Sequence, residues 1–181
     1  MSPSLSDTPA LSRRGLLKFS LGASAFLATA GFGASLSGCS SSTAANGFAT
    51  LRSGDLLFLR ALIPVMLDGA VIVEKMPAAV EGTLKSLDYS LDHLSAEMLK
   101  LTRQLFDVLG MGITRGPLTG IWGSWENASG EDIRHFLDRW ENSSLSLLRM
   151  GHGSLLQMVM MAWYSRAESW AHCGYPGPPT V

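Results

Sequence analysis

The side chains best suited to chemistry in this sequence are His93, His135, His152 and His172, together with Cys39 and Cys173. Imidazole titrates near neutrality, so a histidine paired with carboxylates can move protons or bind a metal. Asp132, His135 and Asp138 stand three apart, which gathers them on one side of a helix. That side lies off the helix's apolar stripe, so the trio reads as a solvated polar face. His152, between Gly151 and Gly153, reads first as a helix-bend or capping position and only second as a ligand contact. A small helical enzyme working through His152 or His172 is the weakest reading. Gly110-Met111-Gly112-Ile113-Thr114-Arg115-Gly116 looks briefly like a dinucleotide loop. Its last spacing is one residue too long, and the stretch before it has helical rather than strand periodicity. There is no Cys-x-x-Cys-His for covalent haem and no Gly-x-Ser-x-Gly for a serine nucleophile. The sequence therefore assigns this chain no catalytic residue, no metal ligand and no cofactor of its own.

Cys39 belongs to a different chemistry. Ser12-Arg13-Arg14-Gly15-Leu16-Leu17-Lys18 resembles a twin-arginine export signal, with Leu16 where phenylalanine is commonest. The mildly apolar stretch 19–36, broken by Gly22, Gly31 and Gly33, suits a removable signal better than a stable spanning helix. It runs into Leu36-Ser37-Gly38-Cys39, which resembles a bacterial lipobox. On that reading residues 1–38 are removed and Cys39 becomes a lipidated first residue. Residues 39–48, rich in serine, then form a polar tether. Ser40 after the cysteine favours the outer membrane in a Gram-negative cell. A plain cleavable signal and an uncleaved anchor are the alternatives, and all three place the domain outside the cytoplasm, in the periplasm. Cys173 is then left without a partner in its own chain in an oxidising compartment, which suggests a disulfide to another chain or else a buried, unreacted thiol.

The remaining residues, 49–181, suffice for a single domain with its own core. The full chain of 181 residues is 46% hydrophobic and 16% charged, with a net charge of −1, a globular composition. With no basic surplus to displace counterions from phosphates, nucleic acid is excluded as a partner.

Periodicity makes the domain an all-α bundle of about five helices. Leu56, Leu59, Ile63, Met66 and Leu67 recur at helical spacing, up to a kink or stop at Pro64. Val80, Leu84, Leu87, Leu91 and Leu94 mark a second helix. Ser95 caps a third that carries Met98, Leu101, Leu105 and Leu109 and stops at Gly110. Ser129 and Asp132 form a capping box before Ile133, Phe136, Leu137 and Trp140. Between these two helices, residues 110–130 read as a long ordered loop holding Trp122 and Trp125. From Leu145 to Trp163 apolar residues surround the helix on most sides, which predicts a central helix weakened early by Gly151 and Gly153. The chain then ends in Trp163-Tyr164, Trp170, Cys173 and Gly174-Tyr175-Pro176-Gly177-Pro178-Pro179, an aromatic helix end followed by a stiff segment. Such a tail can fold back on its own bundle, pack against another surface, or both.

The signal, the Leu62-Ile63-Pro64 and Asp68-Gly69-Ala70 segments and this tail together resemble the gluconate 2-dehydrogenase subunit 3 family. Members are small helical subunits with twin-arginine signals that accompany FAD-dependent GMC oxidoreductases. The tail carries the specific part of the resemblance; the middle of the chain matches by helix pattern alone. The resemblance implies a non-catalytic subunit that binds the large FAD-bearing subunit, escorts it through the twin-arginine translocase and anchors it. The partner would oxidise a sugar, sugar acid or other alcohol and pass electrons to a cytochrome c subunit or a quinone. Arg13 and Arg14 would serve export, Cys39 the lipid, and Trp163, Tyr164, Trp170, Cys173, Gly174, Tyr175, Pro176, Gly177, Pro178 and Pro179 the partner. The lipobox departs from the commoner family pattern and adds a membrane anchor. The competing expectation is a stand-alone periplasmic lipoprotein that binds a small apolar ligand between its helices, for which nine methionines would provide adaptable packing.

Overall fold

A computed structural model of the chain describes residues 43–177. Among these residues are seven α-helices, two short 3-10 turns and no strand: α1 Ser53–Met66, α2 Met76–Asp92, α3 Ala96–Gly110, α4 Gly112–Thr119, α5 Gly130–Glu141, α6 Ser146–Tyr164 and α7 Ala167–Cys173. The all-α expectation holds, with seven helices in place of about five.

The centre of the bundle is α1. Phe58, Leu59, Leu62 and Ile63 are fully buried, and the helix packs against α2, α3, α5 and α6. It continues past Pro64 and stops at Met66. There the Leu67 N–H still reaches the Ile63 carbonyl at 2.9 Å, and Gly69 turns the chain at φ 79°, a conformation that favours glycine. Its start is fixed by Arg52. The Asp55 carboxylate accepts the Arg52 backbone N–H and both Nε and Nη2 of its guanidinium, each at 2.9 Å. Nη2 also reaches Asp107 Oδ1, in the last turn of α3, at 2.7 Å. The Asp55 hydrogen bond, helped by Asp107, holds the guanidinium above its ordinary value although burial pulls the other way. A buried cation needs such pairing, and here it ties the start of α1 to the end of α3.

An aromatic chain runs outward from α1. Phe58 meets Phe106 edge-on at 5.1 Å, and Trp125 lies 6.1 Å from Phe58 and 5.9 Å from Phe136, which meets Trp140 at 4.9 Å. These are favourable edge-to-face or tilted separations. Phe106 explains a departure on α3. Burial falls on Phe106 and Leu109, while Met98 and Leu101 of the expected stripe are exposed. On α2 the expected Val80, Leu84, Leu87 and Leu91 are buried, and Leu94 lies beyond the helix end.

Residues 110–130 do not form one long loop. They hold α4 and a 3-10 turn, Trp125–Asn127. Two glycines and Pro117 argue locally against a helix, but tertiary contacts override them. Gly120 closes α4 at φ 84°, with its N–H on the Gly116 carbonyl at 2.8 Å. From α5, Arg139 Nη2 donates to the Pro117 and Leu118 carbonyls at 3.3 and 3.0 Å, and Trp140 Nε1 donates to Leu118 at 2.9 Å. These bonds satisfy carbonyls that a helix end leaves free. The expected caps are present: Ser95 Oγ accepts the Met98 N–H at 3.3 Å, and Ser129 and Asp132 bond reciprocally at 3.1 and 3.0 Å.

The fold begins earlier than residue 49. Ala45 is buried, and its N–H donates to the Leu51 carbonyl at 2.8 Å. Asp88, itself buried, accepts the backbone N–H groups of Ala49, Thr50 and Leu51 at 2.7, 2.9 and 2.8 Å. The Lys85 ammonium lies 4.0 Å above the Phe48 ring and bonds the Gly47 carbonyl. Residues 45–51 thus form a strap pinned across α2, and 45–48 are not free tether.

Candidate partner-binding surface

The last long helix, α6, is not central. Only Leu155, Val159, Ala162 and Trp163 are buried, and the helix packs mainly on α2 and α5. Its all-round apolar composition therefore leaves a side uncovered. Leu145, Leu147 and Met150 are 62, 74 and 66% exposed, and Met161 is 65% exposed. Leu147, Met150, Ser154, Gln157 and Met161 alternate three and four residues apart, so they form one line along the helix. The line is apolar at both ends and polar at Ser154 and Gln157. Over its 19 residues the helix extends about 28 Å. Single exposed apolar side chains are ordinary; an aligned set on one element makes α6 the candidate for an interaction surface.

Gly151 lets α6 approach the bundle so closely. A Cβ there would lie 2.7 Å from the Trp140 ring and 3.5 Å from Leu105. The glycine that weakens the helix locally thus makes room for a buried tryptophan. At the other end of α6, the Arg166 guanidinium lies directly over Gly82 of α2, where a Cβ would come within 2.1 Å of Cζ, and Arg166 Nε pairs with Glu168 at 2.8 Å.

The tail folds on itself beyond this corner. Trp170 Nε1 donates to the Tyr164 carbonyl at 3.1 Å, and the Tyr175 N–H donates to the Trp170 carbonyl at 2.9 Å. The two rings meet edge-on at 5.5 Å. Gly174 and Gly177 supply the turns at φ 70° and 102°, and Gly177 lies against the Trp170 ring. Tyr164 and Tyr175 are about half exposed. Tyr164 follows Met161 by three residues, so the tail aromatics continue the apolar end of the α6 line. Trp163 differs from the rest of the set: at 4% exposure it belongs to the core, so it can only position its neighbours. Cys173 is exposed with a free thiol. Arg13, Arg14, Cys39, Pro178 and Pro179 lie outside the described residues.

His93, His135 and His152 form no centre, and the His172 side chain lies outside the described residues. His135 is well exposed and lies 3.8 Å from Glu131. With Asp132 and Asp138 it lines a shallow groove of about 640 Å³ that also includes Thr119, Gly120 and Arg139. The groove is open and lined mainly by polar residue types, unlike the enclosed apolar interior that a small apolar ligand needs. The Asp132 carboxyl is held below its ordinary value by the Ser129 hydroxyl and backbone N–H, so its main partner is a helix cap. His93 bonds the Tyr89 carbonyl through Nδ1 at 2.7 Å at the end of α2, and His152 is half-buried within α6. Among the described residues, no group of three or more His, Cys, Asp and Glu could hold a metal ion, and no helix is long and apolar enough to cross a membrane.

Asp88 and the uncovered line of α6 escaped the sequence reading. Asp88 could have been noticed, since it stands between Leu84 and Leu91 on the apolar face of α2, where a carboxylate needs buried donors. No known family model, curated protein or solved structure matches the chain.

Proposed function

We propose that this chain is the non-catalytic small subunit of an FAD-dependent GMC-type alcohol or sugar dehydrogenase of the gluconate dehydrogenase kind. It binds the large subunit, escorts it through twin-arginine export and anchors it to the membrane by lipid at Cys39. The flavin and the oxidation belong to the large subunit, and electrons leave it to a cytochrome c subunit or a quinone. The twin-arginine pattern, the lipobox and the Trp163–Pro179 tail support this reading. The observation that carries it is the exposed line of α6, apolar at Leu147, Met150 and Met161, followed by Tyr164 and the Trp170–Tyr175 pair that bonds to it. Among the described residues nothing covers that surface, and it is of the kind that large, stable subunit interfaces bury. Cys173, exposed at the edge of the same tail, is available to a cysteine of the large subunit.

Exchange of Arg13 and Arg14 for lysine tests the escort role. Both chains are expected to accumulate in the cytoplasm, with dehydrogenase activity lost from the periplasmic fraction. A dehydrogenase that still reaches the periplasm in that strain contradicts the reading.

A further inference from the structure

The Asp88 carboxylate and the Ala45–Leu51 hydrogen bond hold residues 45–51 across α2. Resting on the reading of Cys39 as the lipidated first residue, we infer that the strap face of α2 is turned toward the phospholipid bilayer, with Phe48 and Tyr89 at the headgroup layer. Six peptide units separate Cys39 from Ala45. Fully extended, they span about 20 Å. Ala45 is not free to add to that length. It is buried, bonded to Leu51, and followed by three amides held by the Asp88 carboxylate. A tether shorter than the roughly 28 Å length of α6 restricts which side of the bundle can face the bilayer.

The side chains around the strap fit a headgroup layer. Tyr89, one residue from Asp88, is 68% exposed, and its ring stacks against His93 with centroids 4.2 Å apart. Phe48 lies half-buried under the Lys85 ammonium. By helical spacing, Gly82, Lys85 and Tyr89 share one face of α2. Tyrosine and lysine are at home where apolar and polar media meet, the ring in the boundary and the charge toward phosphate. Within the strap, the Asp88 carboxylate accepts three backbone amides, and Asp92 accepts the Thr50 hydroxyl at 3.3 Å.

The test uses the full chain, exported on its own signal, extracted with its bound partners and reconstituted into phosphatidylethanolamine–phosphatidylglycerol vesicles containing a nitroxide-headgroup lipid. A fluorophore is attached at Tyr89→Cys in a Cys173→Ser background. The expected result is loss of emission through quenching by the nitroxide, and recovery of that emission when a long Gly-Ser insert follows Ser42. Asp88→Asn, which loosens the strap, is expected to give partial recovery, and the insert decides the matter should that variant not fold. An acylated, vesicle-bound chain whose label is unquenched, or equally quenched with and without the insert, overturns the orientation while leaving the lipoprotein reading intact. A chain whose mass shows no acyl groups overturns both.

Discussion

Gly151 stands where helix propensity alone would prefer alanine, by about 1 kcal/mol. Yet a Cβ there would meet the Trp140 ring at 2.7 Å, and Trp140 is locked in the core by Phe136 and by the Leu118 carbonyl. The clash outweighs the propensity gain, because overpacking of this kind costs about 1–3 kcal/mol. Gly151→Ala is therefore expected to lower the urea midpoint, where a merely local role for the glycine would raise it. A titration belongs to the same scale. The Arg60 hydrogen bond holds the Glu81 carboxyl below its ordinary value, and the Glu81 carboxylate in turn holds the Arg60 guanidinium above its own. A depressed carboxyl stabilises the fold above its unfolded-state value and stops doing so as pH falls through the folded-state value. Both side chains are about half exposed, so the pair contributes about 0.5 kcal/mol at most. Urea midpoints of the wild type and Glu81→Gln should differ slightly at neutral pH and converge in acid; a gap that widens in acid contradicts the assignment. Gly151 was visible in the sequence as a weak point. Its partner was not, since Trp140 lies eleven positions earlier, on a different helix across the connection at 142–145.

At the scale of elements, α6 shows where periodicity stops being informative. An all-round apolar helix can be central to its own domain or lie between its domain and something else, and the pattern alone does not distinguish the two. The position of α1, with Phe58 and Leu62 fully buried, decides it here by occupying the centre. The α2 and α5 patterns and the Ser95 and Ser129 caps were legible because they are local. α4 was hidden because its end is satisfied from a distance, by Arg139 and Trp140. On the proposed reading, the exposed line of α6 serves binding rather than folding. Leu147→Lys together with Met150→Lys should leave the helical circular dichroism and the urea midpoint within about 0.5 kcal/mol of the wild type, yet abolish co-purification of the dehydrogenase subunit. A variant that unfolds, or one that still brings down the large subunit in full yield, assigns that line another role.

For the whole molecule, the all-α bundle was legible and the partner was only implied. The twin-arginine-like and lipobox-like patterns and the tail speak through residue type and order, whereas the cover of a surface depends on how the seven described helices pack on one another. Met98 and Leu101 on α3 and the flank of α6 remain uncovered although the aromatic interior is tightly joined. On the proposed reading, these exposed apolar side chains among the described residues are where the large subunit docks. The central claim is tested most directly by gentle detergent extraction of the native host's membranes, affinity purification of this chain and an absorption spectrum of the product. The account predicts a yellow complex with oxidised-flavin absorption bands and a larger second chain in stoichiometric amount. A stable, colourless single chain with no companion polypeptide would contradict it.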